Sequence, residues 1–306
     1  MRPWRRCWWS TRSTSIQGSL SVSGGTRRGA RSSLRSYRQT LERGGHPWPT
    51  LDLEETQELF LRYAAAAQLD YVAPFLHRAM EEIDASISVW AESNTKALSQ
   101  ADPGKQSRRA AALKPLFDRF LSRAASGDLR WVETIHPTQA FAQDAEMSLA
   151  EFEDFVYRAC RADEADPIAA WREVSARQQG LVDFLQRCSA IRVVAEGTDL
   201  TLSVAGRTWE NRDGRMNFPD GEVFTGPVES SANGEIRFSY PACLYGREVE
   251  DVRLSFRDGR VVKATAAKNE AFLHEMLALD EGAKRLGEFA LGTNPGITKC
   301  PNLPVF

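Results

Sequence analysis

The sequence predicts an α/β fold in two parts: an N-terminal domain built on a parallel sheet, followed by a β-rich α+β domain with antiparallel strands. Helical and strand signals alternate along residues 51–190, an order that produces a parallel sheet covered by helices. Turn dipeptides then recur along residues 191–266 between short alternating runs, which is typical of a β-meander or barrel-like region. This change of pattern predicts a domain boundary near residue 190, with the second domain extending over residues 191–306.

Each element of the first domain has a local signal. The β-branched run at residues 86–90 and the run at residues 129–135 are predicted as strands, and residues 106–126 place their apolar side chains on one helical face. Helix starts are predicted where a capping residue precedes an apolar run: Asp52, Ser148 with Glu151, and Asp166 with Pro167.

The second domain is marked by dipeptides that favour tight turns. They are Ala205-Gly206, Asp213-Gly214, Asp220-Gly221, Asn233-Gly234 and Asp258-Gly259. Between them, Leu200, Leu202 and Val204 alternate with other residues as the inward side chains of a half-buried strand do. A helix is predicted over residues 267–279.

Residues 1–50 differ from the rest in composition, with ten Arg and a single acid, Glu42. An Arg- and Ser-rich, acid-poor segment is typical of a mitochondrial transit peptide, of out-of-frame or mis-started translation, or of a nucleic-acid-binding arm. All three interpretations predict that residues 1–50 are disordered or poorly packed. The remaining 51–306 carry 29 basic and 40 acidic residues, a net charge of −11.

The five cysteines are dispersed without a CxxC pair, which argues against a disulfide framework and a finger-type zinc site. They are Cys7, Cys160, Cys188, Cys243 and Cys300. This usage favours a reducing, cytoplasmic setting. No stretch approaches the roughly 18 apolar residues of a membrane span, and the acidic balance gives no reason to expect a nucleic-acid partner.

Common catalytic signatures such as the phosphate-binding GxxxxGK[ST] loop and the GxSxG elbow are missing. His274-Glu275 begins a zincin-like pattern, but Ala278 stands where its second His should be. Glu222 and Glu288 are more informative, because each is a lone acid in an apolar run with Gly immediately before it. A buried carboxylate needs an ion pair, hydrogen bonds or a metal, whereas an exposed edge-strand Glu does not. The residues alone leave both interpretations open.

Three longer segments carry a resemblance to a known family. Residues 217–236, with Asn-Phe-Pro-Asp-Gly-Glu-Val-Phe-Thr-Gly-Pro-Val, resemble the first metal-ligand segment of the thermophilic metallo-aminopeptidase family of the aminopeptidase T and aminopeptidase S type. Residues 275–297, with Lys-Arg-Leu-Gly-Glu-Phe-Ala-Leu, resemble its second. Residues 131–147 resemble the N-terminal domain of that family. The similarity covers roughly residues 51–298.

This resemblance implies a metalloprotease, a hydrolase that releases N-terminal residues from peptide substrates with two divalent metal ions, zinc, cobalt or magnesium. By the same resemblance, Glu222 is a ligand to one ion and Glu288 is a ligand that can bridge both. Carboxylates suit this task because they neutralise closely spaced cations. The resemblance also implies a protein that can form a homodimer.

The sequence departs from the family pattern after residue 298, where the family continues into segments with histidine and aspartate ligands and a catalytic tyrosine. No catalytic residue is assigned here for that reason, and the second domain is expected to be incomplete. Two carboxylates hold divalent ions weakly without further ligands, so negligible hydrolysis by the 306-residue chain is expected. The alternative is a non-catalytic remnant that binds a peptide or a partner subunit. Under either hypothesis, Glu222 and Glu288 are expected to approach each other.

Overall fold

The computed structural model describes residues 19–24, 30–244 and 247–299. The helices are α1 (Ala30–Glu42), α2 (Glu54–Tyr63), α3 (Ala66–Asp70), α4 (Pro74–Glu82), α5 (Pro103–Ser126), α6 (Gln139–Asp144), α7 (Leu149–Ala159), α8 (Pro167–Leu185) and α9 (Glu270–Leu277). The strands are β1 (Ser19–Gly24), β2 (His46–Leu51), β3 (Ala85–Trp90), β4 (Arg130–Ile135), β5 (Ala190–Ala195), β6 (Thr198–Ser203), β7 (Glu210–Arg212), β8 (Asn217–Phe218), β9 (Glu222–Thr225), β10 (Asn233–Phe238), β11 (Ala242–Leu244), β12 (Arg247–Val249), β13 (Val252–Arg257), β14 (Arg260–Thr265) and β15 (Phe289–Gly292).

The contacts of the chain divide it into two compact units. Unit 1 comprises the residues up to Asp163 together with Arg215–Pro219, and unit 2 comprises Glu164–Gly214 and the residues from Asp220 onward. The sequence pattern placed the boundary near residue 190 instead. The difference arises because α8, although helical like the segment before it, packs against β7 and β9 of unit 2.

Unit 1 is built on a five-stranded sheet in the order β2-β1-β3-β4-β8, and its pairs are parallel. The predicted strands at 86–90 and 129–135 are β3 and β4, and they are neighbours. Ala85, Ile87 and Val89 of β3 are buried together on one face. Alternating burial at every second residue is the consequence of side chains pointing to opposite faces of a strand.

The expectation of disorder over residues 1–50 does not agree with the structure over residues 30–50, where α1 and β2 are formed. Thr40 of α1 is fully buried, and its hydroxyl donates to the carbonyl of Ser36 at 2.8 Å. Pro47 and Pro49 concealed β2 in the sequence, because proline cannot donate to a ladder. The strand tolerates them since it lies at the edge of the sheet. Trp4, Trp8 and Trp9 lie outside the described residues.

The predicted helix starts agree with the structure at two positions of three. Ser148 and Glu151 form a reciprocal capping box at α7, and Asp166 accepts two main-chain N–H bonds at the start of α8. The third prediction, a cap by Asp52, is wrong. The helix α2 begins at Glu54 with Leu53 in the capping position and no side-chain cap bond.

Unit 2 contains the antiparallel strands predicted over residues 191–266, arranged as a five-stranded sheet in the order β14-β13-β10-β6-β5. A second sheet has three antiparallel strands in the order β15-β9-β7. Leu200, Leu202 and Val204 pack with Val223 of β9 and with Val182 of α8 in one hydrophobic core. In the described part of the chain, no helix is both long and apolar enough to span a bilayer.

The entry into β9 requires a glycine. Gly221 has a φ of +121°, and a Cβ atom placed on it would lie 2.5 Å from the Cβ of Asn294. The amide nitrogen of Thr293 donates to the carbonyl of Gly221 at 2.7 Å, and Asn294 Nδ2 donates to the carbonyl of Asp220 at 2.7 Å. Gly287, which precedes Glu288, has no such neighbour within 4 Å.

One acid of the parallel sheet is half-buried. Glu133 lies on β4, opposite Ser88 of β3 and Asn217 of β8. Burial raises the pKa of the Glu133 carboxyl above its ordinary value. The folded state therefore holds the Glu133 proton more tightly than the unfolded chain does. As a result, the contribution of Glu133 to stability is greatest at low pH. It is lost as the pH rises through the folded-state pKa.

Replacing Gly221 by Ala should lower the free energy of unfolding by about 2 kcal/mol or more, because the new methyl group meets Asn294 and the backbone conformation is strained for other residues. Urea denaturation monitored by circular dichroism measures this change. The matched control, Gly287→Ala, should stay within about 0.5 kcal/mol of the parent chain. Equal losses of unfolding free energy in both variants would contradict a specific requirement for glycine at position 221.

Replacing Glu133 by Gln should raise the free energy of unfolding at pH 7. The effect should become progressively smaller as the pH falls toward about 3, where the parent carboxyl is protonated in both states. Urea denaturation at a series of pH values tests this. Glu173→Gln, at an exposed position on α8, should show no such pH-dependent difference. An effect of Glu133→Gln that is independent of pH would refute the assignment.

Candidate metal centre

The strand β9 lies between β7 and β15 and carries Glu222 as its first residue. Glu222 is opposite Arg212 of β7 on one side and opposite Gly292 of β15 on the other. Glu222 therefore stands at one end of both ladders, directly after the loop that Gly221 shapes.

The alternation of β9 separates a buried face from an open one. Val223 and Thr225 are buried, whereas Glu222 and Phe224 are only partly buried. Glu288 immediately precedes β15 and has the same parity as Gly292, the partner of Glu222. Because side chains alternate along a strand, Glu288 and Glu222 project from the same face of the three-stranded sheet.

The charges on this face interact. Burial raises the pKa of the Glu222 carboxyl, the negative charge of Glu288 raises it further, and Arg212 acts in the opposite direction. The guanidinium of Arg212 lies over the ring of Phe224, 4.7 Å from its centroid. Glu222 is half-buried and Glu288 is exposed. Both glutamates thus lie on one face, but the register separates them along the strands. Glu222 pairs with Gly292 at one end of the β9–β15 ladder, and Glu288 precedes Phe289 at the other end.

Asp220, which the sequence predicts only as a turn residue, is a third acid in this region. It is 8% exposed, and burial is the main cause that raises its pKa to about 7. The carboxyl oxygens accept main-chain N–H bonds from Gly221 at 2.9 Å and from Gly214 at 3.3 Å. Asp220 is therefore engaged in holding the loop before β9.

A buried amide supports the same strands from α8. Gln178 is 2% exposed, and its Nε2 lies 2.7 Å from the carbonyl oxygen of Glu222, 2.9 Å from that of Arg212 and 3.0 Å from Oδ1 of Asn211. Sequence reasoning missed Gln178, because a polar residue on a helix is ordinarily solvated. Only its helical spacing from Val174 and Val182, both buried, placed it on the inner face.

Glu222 and Glu288 fit a divalent cation in their chemistry. Carboxylate oxygens are suitable ligands for such ions, and a cation relieves the repulsion that two neighbouring anions otherwise suffer. Within the part of the chain that the structure describes, no group of three or more His, Cys, Asp and Glu side chains could hold a metal ion.

His274, considered in the sequence, and His136 lie elsewhere. His274 is exposed on α9. His136 follows β4 in unit 1, where its amide nitrogen donates to the carbonyl of Trp90 at 2.7 Å and its Nδ1 is 3.3 Å from Oγ of Ser32. Neither residue belongs to the face that carries Glu222.

Comparisons with known proteins agree with the resemblance described above. Residues 30–302 match the family model described as thermophilic metalloprotease (M29). Aminopeptidase T of Thermus thermophilus is 34% identical over 233 residues, which cover 70% of this chain and 56% of that protein. Aminopeptidase T of Thermus aquaticus is 32% identical over 246 residues, which cover 74% and 60%, respectively. Aminopeptidase 2 of Geobacillus stearothermophilus is 30% identical over 247 residues, with the same coverage.

A solved structure agrees as well. Wild-type AmpT from Thermus thermophilus superposes with a TM-score of 0.77 at 26% identity, covering 91% of this chain and 74% of that one. This likeness confirms a mixed α/β fold with parallel and antiparallel sheets. The chain spans 56% to 60% of the length of the three aminopeptidases it matches. The match over residues 30–302 implies a divalent metal cofactor, and the chain belongs to the thermophilic metalloprotease (M29) family.

Proposed function

We propose that this protein is a metal-dependent aminopeptidase that releases N-terminal residues from peptides, with Glu222 and Glu288 among the ligands of a dinuclear metal centre. The observation that carries the proposal is the placement of both carboxylates on one face of the β15-β9-β7 sheet. Three relatives with 30% to 34% sequence identity are named aminopeptidases, which supports the reaction class.

Each residue of this face has a distinct task in the proposal. Divalent ions bound there, zinc, cobalt or magnesium, would polarise the scissile carbonyl and lower the pKa of a bound water toward about 7. Glu222, which lies between two strand partners, would be a ligand to one ion, and the exposed Glu288 would be a ligand that could bridge both. Arg212 balances the negative charge of Glu222, and Asp220 holds the loop that leads into β9.

The assembly and setting of the protein are further parts of the proposal. Peptides are the expected substrates. The homodimer is predicted from the resemblance, and the cytoplasmic location is predicted from the cysteine usage. Neither a nucleic acid nor a membrane has a role in this function.

A second candidate function is a non-catalytic module that binds a peptide or a partner subunit. One observation favours it: among the described residues, no group of three or more His, Cys, Asp and Glu side chains could hold a metal ion. Metal binding and hydrolysis must therefore be tested separately.

Glu222→Gln and Glu288→Gln should each weaken Co²⁺ binding by the 306-residue chain about 10-fold or more, because each removes one anionic ligand from a small set. Titration calorimetry or competition with a chromophoric chelator measures the affinity. Glu235→Gln, an exposed acid on β10, is the control and should bind as the parent chain does. Unchanged affinity in both ligand variants would remove the chemical basis of the proposal.

The 306-residue chain alone should not hydrolyse an amino-acid anilide above the rate of Co²⁺ or Zn²⁺ in buffer, because two carboxylates leave each ion short of ligands. A chimera can be made from Thermus thermophilus aminopeptidase T by replacing the region that it shares with this chain by the present sequence, which includes Glu222 and Glu288. This chimera should hydrolyse the anilide.

Glu222→Gln or Glu288→Gln should abolish hydrolysis by that chimera, and Glu235→Gln should not. An active chimera whose rate is insensitive to both ligand substitutions would show that other residues hold the ions. A folded, metal-loaded but inactive chimera would favour the non-catalytic alternative.

A further inference from the structure

Helix α8 is joined to β7 and its flanking residues by side chains that share one helical face. Ser175 Oγ donates to Oδ2 of Asp213 at 2.7 Å. Three turns farther along, Gln186 Nε2 donates to the carbonyl of Arg207 at 2.7 Å, and its Oε1 accepts from the amide nitrogen of Trp209 at 3.2 Å. These contacts attach the segment that contains β7 to the helix.

Gln178 differs from Ser175 and Gln186 because it reaches beyond β7 to β9. Its Nε2 contacts the carbonyl oxygens of both Arg212 and Glu222, at 2.9 and 2.7 Å. Main-chain carbonyls can only accept hydrogen bonds, so the nitrogen of the amide, and not its oxygen, must face the strands. The contacted residues form the Arg212–Glu222 pair, the last pair of the β7–β9 ladder before the chain turns away.

These contacts do not fulfil the full hydrogen-bonding capacity of the Gln178 amide. Its two hydrogens are shared among three acceptors, and its buried Oε1 has no hydrogen-bond partner among the residues that the structure describes. An apolar side chain on this buried face of α8 would avoid both costs. Departures of this kind from local rules are expected where a residue serves a site.

We propose that Gln178 is a positioning residue of the metal centre: by joining Arg212 and Glu222 at the end of their ladder, it holds the Glu222 carboxylate in the orientation that binds metal. The inference rests on the proposed role of Glu222 as a ligand. Gln178 acts through the main chain of Glu222 and from the buried face of the sheet, so it has no direct contact with the ion.

The test compares Gln178→Met with Gln186→Met in the 306-residue chain, with Glu222→Gln measured beside them. Both Met variants remove an amide that donates from α8 to a main-chain carbonyl, but only Gln178 contacts Glu222. Gln178→Met should weaken Co²⁺ binding about 10-fold or more, the size of effect found for residues that orient metal ligands. It should also change the visible absorption spectrum of bound Co²⁺, whereas Gln186→Met should leave affinity and spectrum as in the parent chain.

The outcomes separate this inference from the proposed function. If Glu222→Gln weakens Co²⁺ binding and Gln178→Met does not, the positioning role is refuted and the ligand assignment stands. Equal losses in Gln178→Met and Gln186→Met would also refute it, since a general loss of stability would then explain both. No effect of Glu222→Gln would refute the ligand assignment and the positioning role together.

Circular dichroism establishes that each variant is folded before Co²⁺ is added. If Gln178→Met does not fold, Gln178→Asn replaces it, because Asn keeps an amide in the interior but withdraws it from Glu222 by one methylene. The expected loss of Co²⁺ affinity is the same, and parent-like affinity in a folded Gln178→Asn chain would refute the role.

Discussion

The two-residue repeat of β9 is the constraint on which the candidate metal centre depends. It turns Val223 and Thr225 into the core and leaves Glu222 and Phe224 on the open face. A shift of one residue in the pairing would exchange these two sets and bury a carboxylate in the apolar core. The loop at Gly221 and the amide of Gln178 both act at the start of β9, where such a shift would begin.

The open face has an electrostatic consequence for an ion. Glu222 is half-buried and feels both the negative charge of Glu288 and the positive charge of Arg212. Removing water from a carboxylate is costly, and a nearby Arg offsets part of that cost without occupying the place of a ligand. Asp220, in contrast, is satisfied by main-chain N–H groups. The two half-buried or buried acids thus differ in their surroundings: Glu222 is influenced by neighbouring charges, and Asp220 accepts main-chain hydrogen bonds.

The sequence predicted elements whose signals are local. Strands β3 and β4 follow from apolar runs, and Ser148 caps α7 because its hydroxyl and Glu151 stand three residues apart. The edge strand β2 was missed because its prolines contradict a general strand pattern that edges need not obey. The cap at Asp52 was wrong because another residue begins α2.

In the candidate site, too, only residues with a local sequence signal could be predicted. Glu222 and Glu288 could be selected from their apolar surroundings and from the resemblance, since both signals lie in short segments. Gln178 and Asp220 could not, because what distinguishes them is burial among residues distant in sequence. Even the carbonyl that Gln178 contacts on β9 lies 44 positions away along the chain. The residues adjacent to a polar side chain in the sequence do not indicate a hydrogen-bond partner at such a distance along the chain.

The strand β8 gives the chain an unusual order of assembly. It pairs with β4 in the parallel sheet, and the Thr134 hydroxyl donates to the carbonyl of Phe218. Yet 51 residues of the other unit, Glu164–Gly214, precede it. On a ribosome, where synthesis proceeds from the N-terminus, the edge of β4 stays open until those residues have emerged. A fragment ending at Asp163 would keep that edge unpaired permanently, and unpaired edges are templates for aggregation.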